Sequence, residues 1–346
     1  MIMSLGETAV GVLGGGAWGT TLAELVARAG HRPLLWLRDE AIREEIRSQR
    51  TNRKFTGDVP LSPRIEPTGD IAEVAGECEV IFVAVPLKGL REVAFRLGEH
   101  LRGDRVLVSC AKGLEAGTQR RPTEILREET CAKKVGVLSG PNLAAEIVRG
   151  EPCATVVASH YREVRARAWD AIMGPTFRVF ESDDVVGVEI AGALKNVIAI
   201  AAGMATGLGF GANSKAALIT RGLAEIARYG CRFGANPLTF AGLAGIGDMV
   251  ATCWSPLSRN HQVGVRLARG EKLETILCTM VQTAEGVNTT RVIAKHAEAI
   301  GLTMPITSGV YRILFEGATP LDELQRLMAR SARPEVEMAA AVALHP

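Results

Sequence analysis

Residues 8–29 read TAVGVLGGGAWGTTLAELVARA. The apolar opening predicts a β-strand, and the second half, in which apolar side chains recur at helical spacing, predicts an α-helix. Between them, Gly14, Gly16 and Gly19 occupy the first, third and sixth positions of a G-x-G-x-x-G motif. Such glycines permit a tight turn, a close approach of the backbone to a pyrophosphate, and close packing of the helix on the strand. The arrangement predicts a dinucleotide-binding turn; a tight turn without a ligand is the alternative.

The end of the next predicted strand bears on which dinucleotide is bound. In many such domains an acidic residue at this position hydrogen-bonds the 2′-hydroxyl of the cofactor ribose. Here the apolar residues 34–37 are followed by Arg38 and then by Asp39. A guanidinium suits a ribose 2′-phosphate, so NADP(H) is the favoured cofactor, whereas Asp39 keeps NAD(H) open. A solvated loop arginine without a ligand is the other interpretation.

The rest of the first half alternates short β-branched runs with longer mixed segments, a pattern typical of βαβ units around a mostly parallel sheet. From residue 183 onward apolar residues recur at helical spacing instead. We therefore predict an α/β Rossmann-type domain over residues 1–182 and an all-α substrate-binding and catalytic domain over residues 183–346. Residues 51–67, with three prolines, are predicted to be an irregular loop. The predicted strands are residues 8–13, 33–37, 80–85, 106–110, 135–138, 155–158 and 177–180.

The overall composition excludes several classes of partner. The chain has 346 residues, with 40 Lys and Arg against 38 Asp and Glu, and only 5% aromatic residues. This balance, without a polybasic block, argues against a nucleic-acid or anionic-membrane binder. The seven cysteines include no C-x-x-C pair, which favours reduced thiols over disulfides or a metal site. With no secretory signal visible at the start of the sequence, we expect a cytoplasmic protein.

The long apolar stretch at residues 185–205 contains Glu189, Lys195 and Asn196. An ionisable group within a bilayer costs several kcal/mol, so the stretch predicts a buried helix and no membrane span. Burying an ammonium is also costly unless it is paired, and its pKa then falls. A lysine of this kind can polarise a ketone and protonate the developing alkoxide. A lysine that reaches solvent from a helix end is the alternative.

Polar residues downstream suit a phosphorylated substrate. Asp248 can orient a lysine or a substrate hydroxyl, while the Arg259 guanidinium and the Asn260 amide suit a phosphate. A surface loop without a ligand is an equal alternative from these residues alone.

Taken together, these segments closely resemble NAD(P)-dependent glycerol-3-phosphate dehydrogenases of the soluble bacterial type, over nearly the whole chain. The resemblance implies reduction of dihydroxyacetone phosphate to sn-glycerol 3-phosphate for phospholipid synthesis, the reverse oxidation, and a homodimer. The segments that carry it are residues 14–20, 111–114, 138–144, 192–197, 213–222, 247–248, 258–260 and 285–287.

The resemblance also implies roles for individual residues. It implies that Lys195 transfers the proton and that Lys112 contacts both substrate and cofactor. We expect Asp248 to set the geometry of Lys195. Besides the three glycines, the matching cofactor positions are Ala17, Trp18, Arg38, Lys112, Ala144, Arg259 and Glu285. The matching substrate positions are Lys112, Gly140, Asn142, Lys195, Asp248, Ser258, Arg259 and Asn260, with Asn196 and Thr252 as neighbours.

Two positions depart from the family pattern, because many relatives carry serine where this chain has Asn142 and Ala17. A side-chain contact is not implied there, although a backbone contact at Ala17 survives the change. Two other functions stay open: reduction of another short phosphorylated or carrier-linked hydroxyketone, and a non-catalytic NADP(H) sensor. The sensor would have a broken lysine or phosphate site, whereas Lys195, Asp248 and Arg259 are all present.

Overall fold

The computed structural model describes residues 7–280 and 284–331, which divide into two compact units. The first unit contains residues 7–111 and 121–185, and the second contains residues 112–120 with the described residues from 186 onward. Residues 112–120, which fall within the first predicted domain, pack with the second unit. Of the two predicted domains, residues 1–6, 281–283 and 332–346 lie outside the described residues.

The first unit is built on one sheet of eight strands, among the residues that the structure describes. Its order is β3-β2-β1-β4-β5-β6-β7-β8, and all neighbours are parallel except β6 and β7. The carboxyl ends of β1 to β6 therefore lie along the same edge of the sheet. The strands are β1 (Ala9–Leu13), β2 (Arg32–Trp36), β3 (Glu66–Thr68), β4 (Val80–Val83), β5 (Val106–Ser109), β6 (Lys134–Ser139), β7 (Cys153–Ala158) and β8 (Phe177–Ser182).

The helices of this unit bury both faces of the sheet, as βαβ connections require. Along β4, Val80 and Phe82 belong to one apolar core, and Ile81 and Val83 belong to another. This alternation explains why the strand is continuously apolar in sequence. The helices are α1 (Ala17–Arg28), α2 (Glu40–Gln49), α3 (Arg53–Thr56), α4 (Ile71–Glu77), α5 (Leu87–Gly98), α6 (Pro122–Glu129), α7 (Ala144–Ile147) and α8 (Arg162–Ile172).

The second unit is helical throughout its described residues. A 3-10 turn at Pro237–Ala241 and a π-helical turn at Leu243–Gly247 lead into its third helix. The helices are α9 (Val185–Gly207), α10 (Ala212–Arg232), α11 (Asp248–Trp254), α12 (Arg259–Ala268), α13 (Leu273–Thr279), α14 (Glu285–Ala299), α15 (Pro305–Phe315) and α16 (Pro320–Met328).

Helix α9 is the central element of this unit and the one described helix that is long and apolar enough to cross a membrane. Of its most apolar window, 94% is buried inside the protein. Helices packed around it supply that burial, and the resulting core includes Leu194 and Ile198 of α9, Ile226 of α10 and Val263 of α12. The stretch is therefore the core helix of this unit, as its embedded charges predicted.

The predicted fold class is confirmed, with a mostly parallel sheet followed by helices, and each of the seven predicted strands is present. The prediction for residues 51–67 was incomplete, since this segment contains α3 and the start of β3. Strand β3 has only three residues, Glu66–Thr68, and Pro67 lies in its middle. Proline is tolerated there because β3 is an edge strand, but it hides the strand in the sequence.

Candidate active site

The glycine-rich turn after β1 has the geometry that its sequence predicts. Gly14 has a φ of +120°, and a Cβ atom there would lie 2.7 Å from the carbonyl oxygen of Ala84. A Cβ atom on Gly19 would lie 1.7 Å from the carbonyl oxygen of Gly14. The first glycine is therefore required by the backbone turn, and the last by the close packing of α1 on β1.

Gly16 differs from these two glycines, because a Cβ atom at Gly16 would meet nothing within 4 Å. Gly16 is the N-cap of α1, and no side chain caps this end; the first turn contains no acidic residue either. Unpaired N–H groups and the positive end of the helix dipole thus face open space beside bare backbone, which suits a pyrophosphate. The turn fits a dinucleotide, with Ala17 and Trp18 as the first two residues of the helix.

Three further residues predicted to bind ligands follow strands at the same edge of the sheet. Arg38 is exposed after β2, and Gly140 follows β6. Ala144 begins α7, and its carbonyl oxygen accepts a hydrogen bond from the Thr21 hydroxyl of α1 at 3.4 Å. The carboxyl edge of a doubly wound sheet is where such folds bind nucleotides.

Asn142 lies in the same region, but its side chain is engaged within the protein. Its Nδ2 atom donates to Thr155 Oγ1 at 3.0 Å, and its backbone N–H donates to the Gly140 carbonyl at 2.8 Å. The amide therefore fixes the loop after β6 to β7. A role for the Asn142 side chain in substrate binding stays a prediction.

In the second unit, two lysines share one buried carboxylate. Lys195, from the middle of α9, contacts Asp248 Oδ1 through its Nζ atom and lies 2.5 Å from Thr252 Oγ1. Lys112 Nζ donates to the other carboxylate oxygen, Oδ2, at 2.7 Å. Asp248 and Thr252 lie one turn apart on α11, so both face α9. We call Lys112, Lys195, Asp248 and Thr252 the lysine cluster.

Burial lowers the pKa of Lys195 in this cluster. Lys195 is only 6% exposed, and Asp248 is only 1% exposed. Burial is the main reason that the pKa of Lys195 falls to about 8; the Asp248 carboxylate opposes the shift, and the Lys112 ammonium adds to it. A lysine with a pKa near 8 can both donate and accept a proton close to neutral pH.

The helix that carries Asp248 begins in an unusual way. The π-helical turn before α11 packs so tightly that a Cβ atom on Gly245 would lie 2.1 Å from the Phe240 carbonyl oxygen. Such turns are rare and occur often at functional sites, because they re-aim the side chains that follow. Here the turn is followed directly by Asp248, the residue that holds both lysines.

A second polar group lies next to Lys195 along α9. Asn260 Nδ2 donates to Asn196 Oδ1 at 2.9 Å, and Asn260 Oδ1 accepts from the backbone N–H of Gly286 at 2.9 Å. These bonds join α9, α12 and α14. A Cβ atom on Gly286 would lie 2.7 Å from both the Asn196 carbonyl and Asn260 Oδ1, so this contact requires glycine.

The amino end of α12 carries two other predicted residues. Ser258 is the N-cap, and its hydroxyl oxygen accepts from the backbone N–H of His261 at 3.3 Å. Arg259 is the first helical residue and reaches the surface of the unit. Partial dehydration by surrounding atoms lowers the pKa of Arg259, while the carboxylate of Glu285, at the start of α14, opposes this shift.

Two glycines that position this end of α12 were missed in the sequence analysis. A Cβ atom on Gly203 of α9 would lie 2.0 Å from the His261 carbonyl oxygen, and one on Gly264 of α12 would lie 2.0 Å from the Ile200 carbonyl oxygen. The two helices therefore cross in direct backbone contact. Glycines in helix interiors are unfavourable and usually have a packing reason, which was the available signal.

The predicted site residues thus fall into two sets. Gly14, Gly16, Ala17, Trp18, Gly19, Arg38, Gly140, Asn142 and Ala144 belong to the first unit. Lys112, Lys195, Asn196, Asp248, Thr252, Ser258, Arg259, Asn260 and Glu285 belong to the second. Across residues 7–280 and 284–331, no group of three or more His, Cys, Asp or Glu side chains is arranged to hold a metal ion.

A dinucleotide turn in one unit and a buried lysine cluster in the other define a class, the two-unit nucleotide-dependent dehydrogenases. Comparison with known proteins identifies the family. Residues 9–165 match the profile described as NAD-dependent glycerol-3-phosphate dehydrogenase N-terminus, and residues 184–325 match its C-terminus. The chain belongs to the NAD-dependent glycerol-3-phosphate dehydrogenase family.

Individual relatives resemble the chain over almost its full length. It is 46% identical over 329 residues to a glycerol-3-phosphate dehydrogenase (NAD(P)+) of Azotobacter vinelandii, covering 95% of this chain and 96% of the relative. A protein of the same name from Pseudomonas fluorescens is 45% identical over 328 residues, with the same shares covered. The crystal structure of a glycerol-3-phosphate dehydrogenase from Coxiella burnetii has a TM-score of 0.89 at 33% identity, covering 94% of this chain and 99% of that one.

Proposed function

We propose that this protein interconverts dihydroxyacetone phosphate and sn-glycerol 3-phosphate by hydride transfer with a nicotinamide dinucleotide. The observation that carries the proposal is the lysine cluster, in which a buried ammonium of lowered pKa is held by a carboxylate and a hydroxyl. Family membership supports the choice of substrate. The proposed product supplies phospholipid synthesis.

The proposed mechanism assigns the proton to Lys195. When bound, the nicotinamide supplies a hydride to C2 of the ketone or accepts one from C2 of the alcohol. In reduction, Lys195 donates a proton from Nζ to the developing alkoxide at the C2 oxygen; in oxidation, its neutral amine removes the proton from the hydroxyl. Asp248 and Thr252 hold Nζ in place, and Lys112 adds positive charge that favours the alkoxide.

The substrate phosphate is assigned to the amino end of α12. Arg259 offers a forked donor there, and the backbone N–H groups of the first turn add partial positive charge. Asn260 Nδ2 donates one hydrogen to Asn196 and has a second hydrogen for a ligand. Its fixed position between three helices makes it a preorganised donor.

NADP(H) is the proposed preferred cofactor, with NAD(H) as the weaker one. Arg38 is exposed at the carboxyl end of β2, and no described residue hydrogen-bonds or ion-pairs with its side chain. The acidic alternative, Asp39, is the N-cap of α2, and its Oδ1 accepts from the N–H groups of Ala41 and Ile42 at 3.1 and 3.3 Å. That oxygen is already used within the protein, which weakens the case for ribose-diol recognition.

The deciding experiment measures absorbance at 340 nm with purified protein, dihydroxyacetone phosphate, and NADPH or NADH in parallel. We expect oxidation of both cofactors, faster with NADPH, and little oxidation when dihydroxyacetone without its phosphate is the substrate. Cofactor binding without any oxidation upon addition of dihydroxyacetone phosphate would refute the proposed reaction and favour a sensor or another substrate.

A homodimer and a cytoplasmic location are further parts of the proposal. The family resemblance supports the dimer, and the seven free cysteines support a reducing compartment. Light scattering on the purified protein would test the first, and fractionation of cells producing it would test the second. A monomeric mass or recovery outside the cytoplasm would refute the respective part.

A further inference from the structure

The segment from Thr51 to Gly57, within the predicted irregular loop, is hydrogen-bonded to the glycine-rich turn. Asn52 is fully buried, and its Nδ2 atom donates to the Gly15 carbonyl at 3.0 Å and to Thr20 Oγ1 at 2.8 Å. One amide thus joins the segment both to the turn and to the first helix after it. The short helix α3 that follows Asn52 is held beside the dinucleotide-binding edge of the sheet.

This anchoring places Lys54 at the end of β2. Lys54 Nζ lies 3.9 Å from Asp39 Oδ2, the carboxylate oxygen that does not cap α2, and 5.4 Å from the centre of the Phe55 ring. Asp39 therefore has one oxygen occupied by backbone N–H groups and the other facing an ammonium. Lys54 remains half exposed, with a side-chain exposure of 53%.

The other cations around this strand end are committed to the protein itself. Arg43 Nη1 donates to the carbonyl oxygens of Leu37 and Arg38 at 2.7 and 2.9 Å. The Arg53 guanidinium pairs with Asp58 at 2.8 Å and also contacts Gln49. Two of the cations around the end of β2 differ from these: the Arg38 guanidinium and the Lys54 ammonium donate no hydrogen bond to any described residue.

We propose that Lys54 is a second specificity-determining residue for the ribose 2′-phosphate of NADP(H), acting together with Arg38. The inference rests on the proposed function, in which a nicotinamide dinucleotide binds at this edge. A phosphate monoester carries close to two negative charges at neutral pH, so one guanidinium fork and one ammonium point charge complement it. By pairing with Asp39, Lys54 also shields the one carboxylate that would repel this phosphate and bind a ribose diol instead.

The test compares two small probes that differ in the 2′-phosphate alone, adenosine 2′,5′-bisphosphate and 5′-AMP, by isothermal titration calorimetry. The variants are Lys54→Gln and Arg38→Gln. Lys133→Gln is the matched control, because Lys133 is an exposed lysine of the same unit. It precedes β6 and so lies at the amino ends of the strands, whereas Arg38 follows the carboxyl end of β2. Thermal unfolding of each variant verifies that the fold is retained.

We expect Lys54→Gln to weaken binding of adenosine 2′,5′-bisphosphate about tenfold, as loss of one charge-assisted contact implies, and to leave 5′-AMP within about twofold. Lys133→Gln should change neither. Equal loss for both probes, or an unchanged bisphosphate affinity, would overturn the role of Lys54. Binding of these probes does not require turnover, so the inference can be tested even if the protein does not reduce dihydroxyacetone phosphate. In that case, a loss of affinity for the bisphosphate but not for 5′-AMP would support the role of Lys54, while the proposed reaction would be refuted. In an active enzyme, the ratio of kcat/KM for NADPH to that for NADH should fall about tenfold with Lys54→Gln, and an unchanged ratio would overturn it.

Discussion

Replacing Lys195 by methionine is the most direct test of the proposed chemistry. Methionine keeps the length of the apolar stem but removes the ammonium that contacts Asp248 and Thr252. Asp248 stays paired with Lys112 at 2.7 Å, so the variant retains one cation for one buried carboxylate. Removing one member of a buried ion pair is strongly destabilising when it leaves the other charge unpaired. Because Asp248 keeps Lys112 as its partner, we expect Lys195→Met to fold and to lose much less stability than a variant that leaves a buried charge unpaired.

The loss of rate follows from what the ammonium contributes. A positioned general acid is worth about 10²- to 10⁴-fold in rate, or about 3 to 5 kcal/mol of transition-state stabilisation. Lys112 is bonded to the same carboxylate and leaves a positive charge near the site. We therefore expect a loss near the lower end of this range, about 10²-fold in kcat, with about 30-fold, equal to about 2 kcal/mol, as the smallest loss consistent with the proposal.

The pH dependence gives a second, independent readout. Because the pKa of Lys195 is lowered to about 8, kcat/KM for ketone reduction should fall as the pH rises through about 8, where the ammonium is lost. For alcohol oxidation the sign reverses, and kcat/KM should fall as the pH drops below about 8, where the amine becomes protonated. Lys195→Met should lose this titration in both directions.

The assay is steady-state absorbance at 340 nm between pH 6 and 10, with thermal unfolding of each variant as a control. Two results would refute the reasoning. One is a kcat of Lys195→Met within about threefold of that of the unchanged protein, and the other is a change of kcat/KM near pH 8 that persists in the variant. Either would mean that another group transfers the proton.

Three further substitutions test other parts of the site. Asp248→Asn leaves the buried Lys195 and the partly exposed Lys112 facing an uncharged amide, so we expect a loss of about 3 to 5 kcal/mol in the free energy of unfolding, measured by denaturant titration, together with loss of turnover. Gly16→Ala adds a methyl group on the open side of the turn; we expect weaker binding of both NADPH and NADH, measured by fluorescence titration, and an unchanged melting temperature. Gly203→Ala places a methyl group 2.0 Å from the His261 carbonyl oxygen and should cost about 1 to 3 kcal/mol in unfolding experiments, whereas Gly76→Ala, which meets nothing within 4 Å, should cost nothing.

Much of the first unit was predictable because its signals are local. Strand β4 is continuously apolar since both faces of the sheet are covered, and that pattern can be seen in four consecutive residues. The glycine spacing after β1 likewise predicts a tight turn, because the backbone conformation of the turn depends on only a few consecutive residues. Strand β3 was missed because three residues with a central proline carry no periodicity.

The lysine cluster was predictable only in part. A lysine inside an apolar helical stretch indicated a buried ammonium, and Asp248 was expected to orient either a lysine or a substrate hydroxyl. Asp248 binds two lysines because folding brings it next to Lys195, which is 53 residues away in the sequence, and to Lys112, which is 136 residues away. No local pattern encodes such separations, because they depend on how the helices pack.

The sequence alone was sufficient for the fold class of each unit, the buried helix α9 and the tight glycine-rich turn after β1, since each depends on residue type and short-range spacing. The tertiary structure was needed for the sharing of one carboxylate between two lysines, for the glycine contact that sets α12 against α9, and for the placement of Lys54 beside Asp39. These features arise where distant segments meet. Their energies depend on burial and on distances of a few ångströms, which only the folded chain defines.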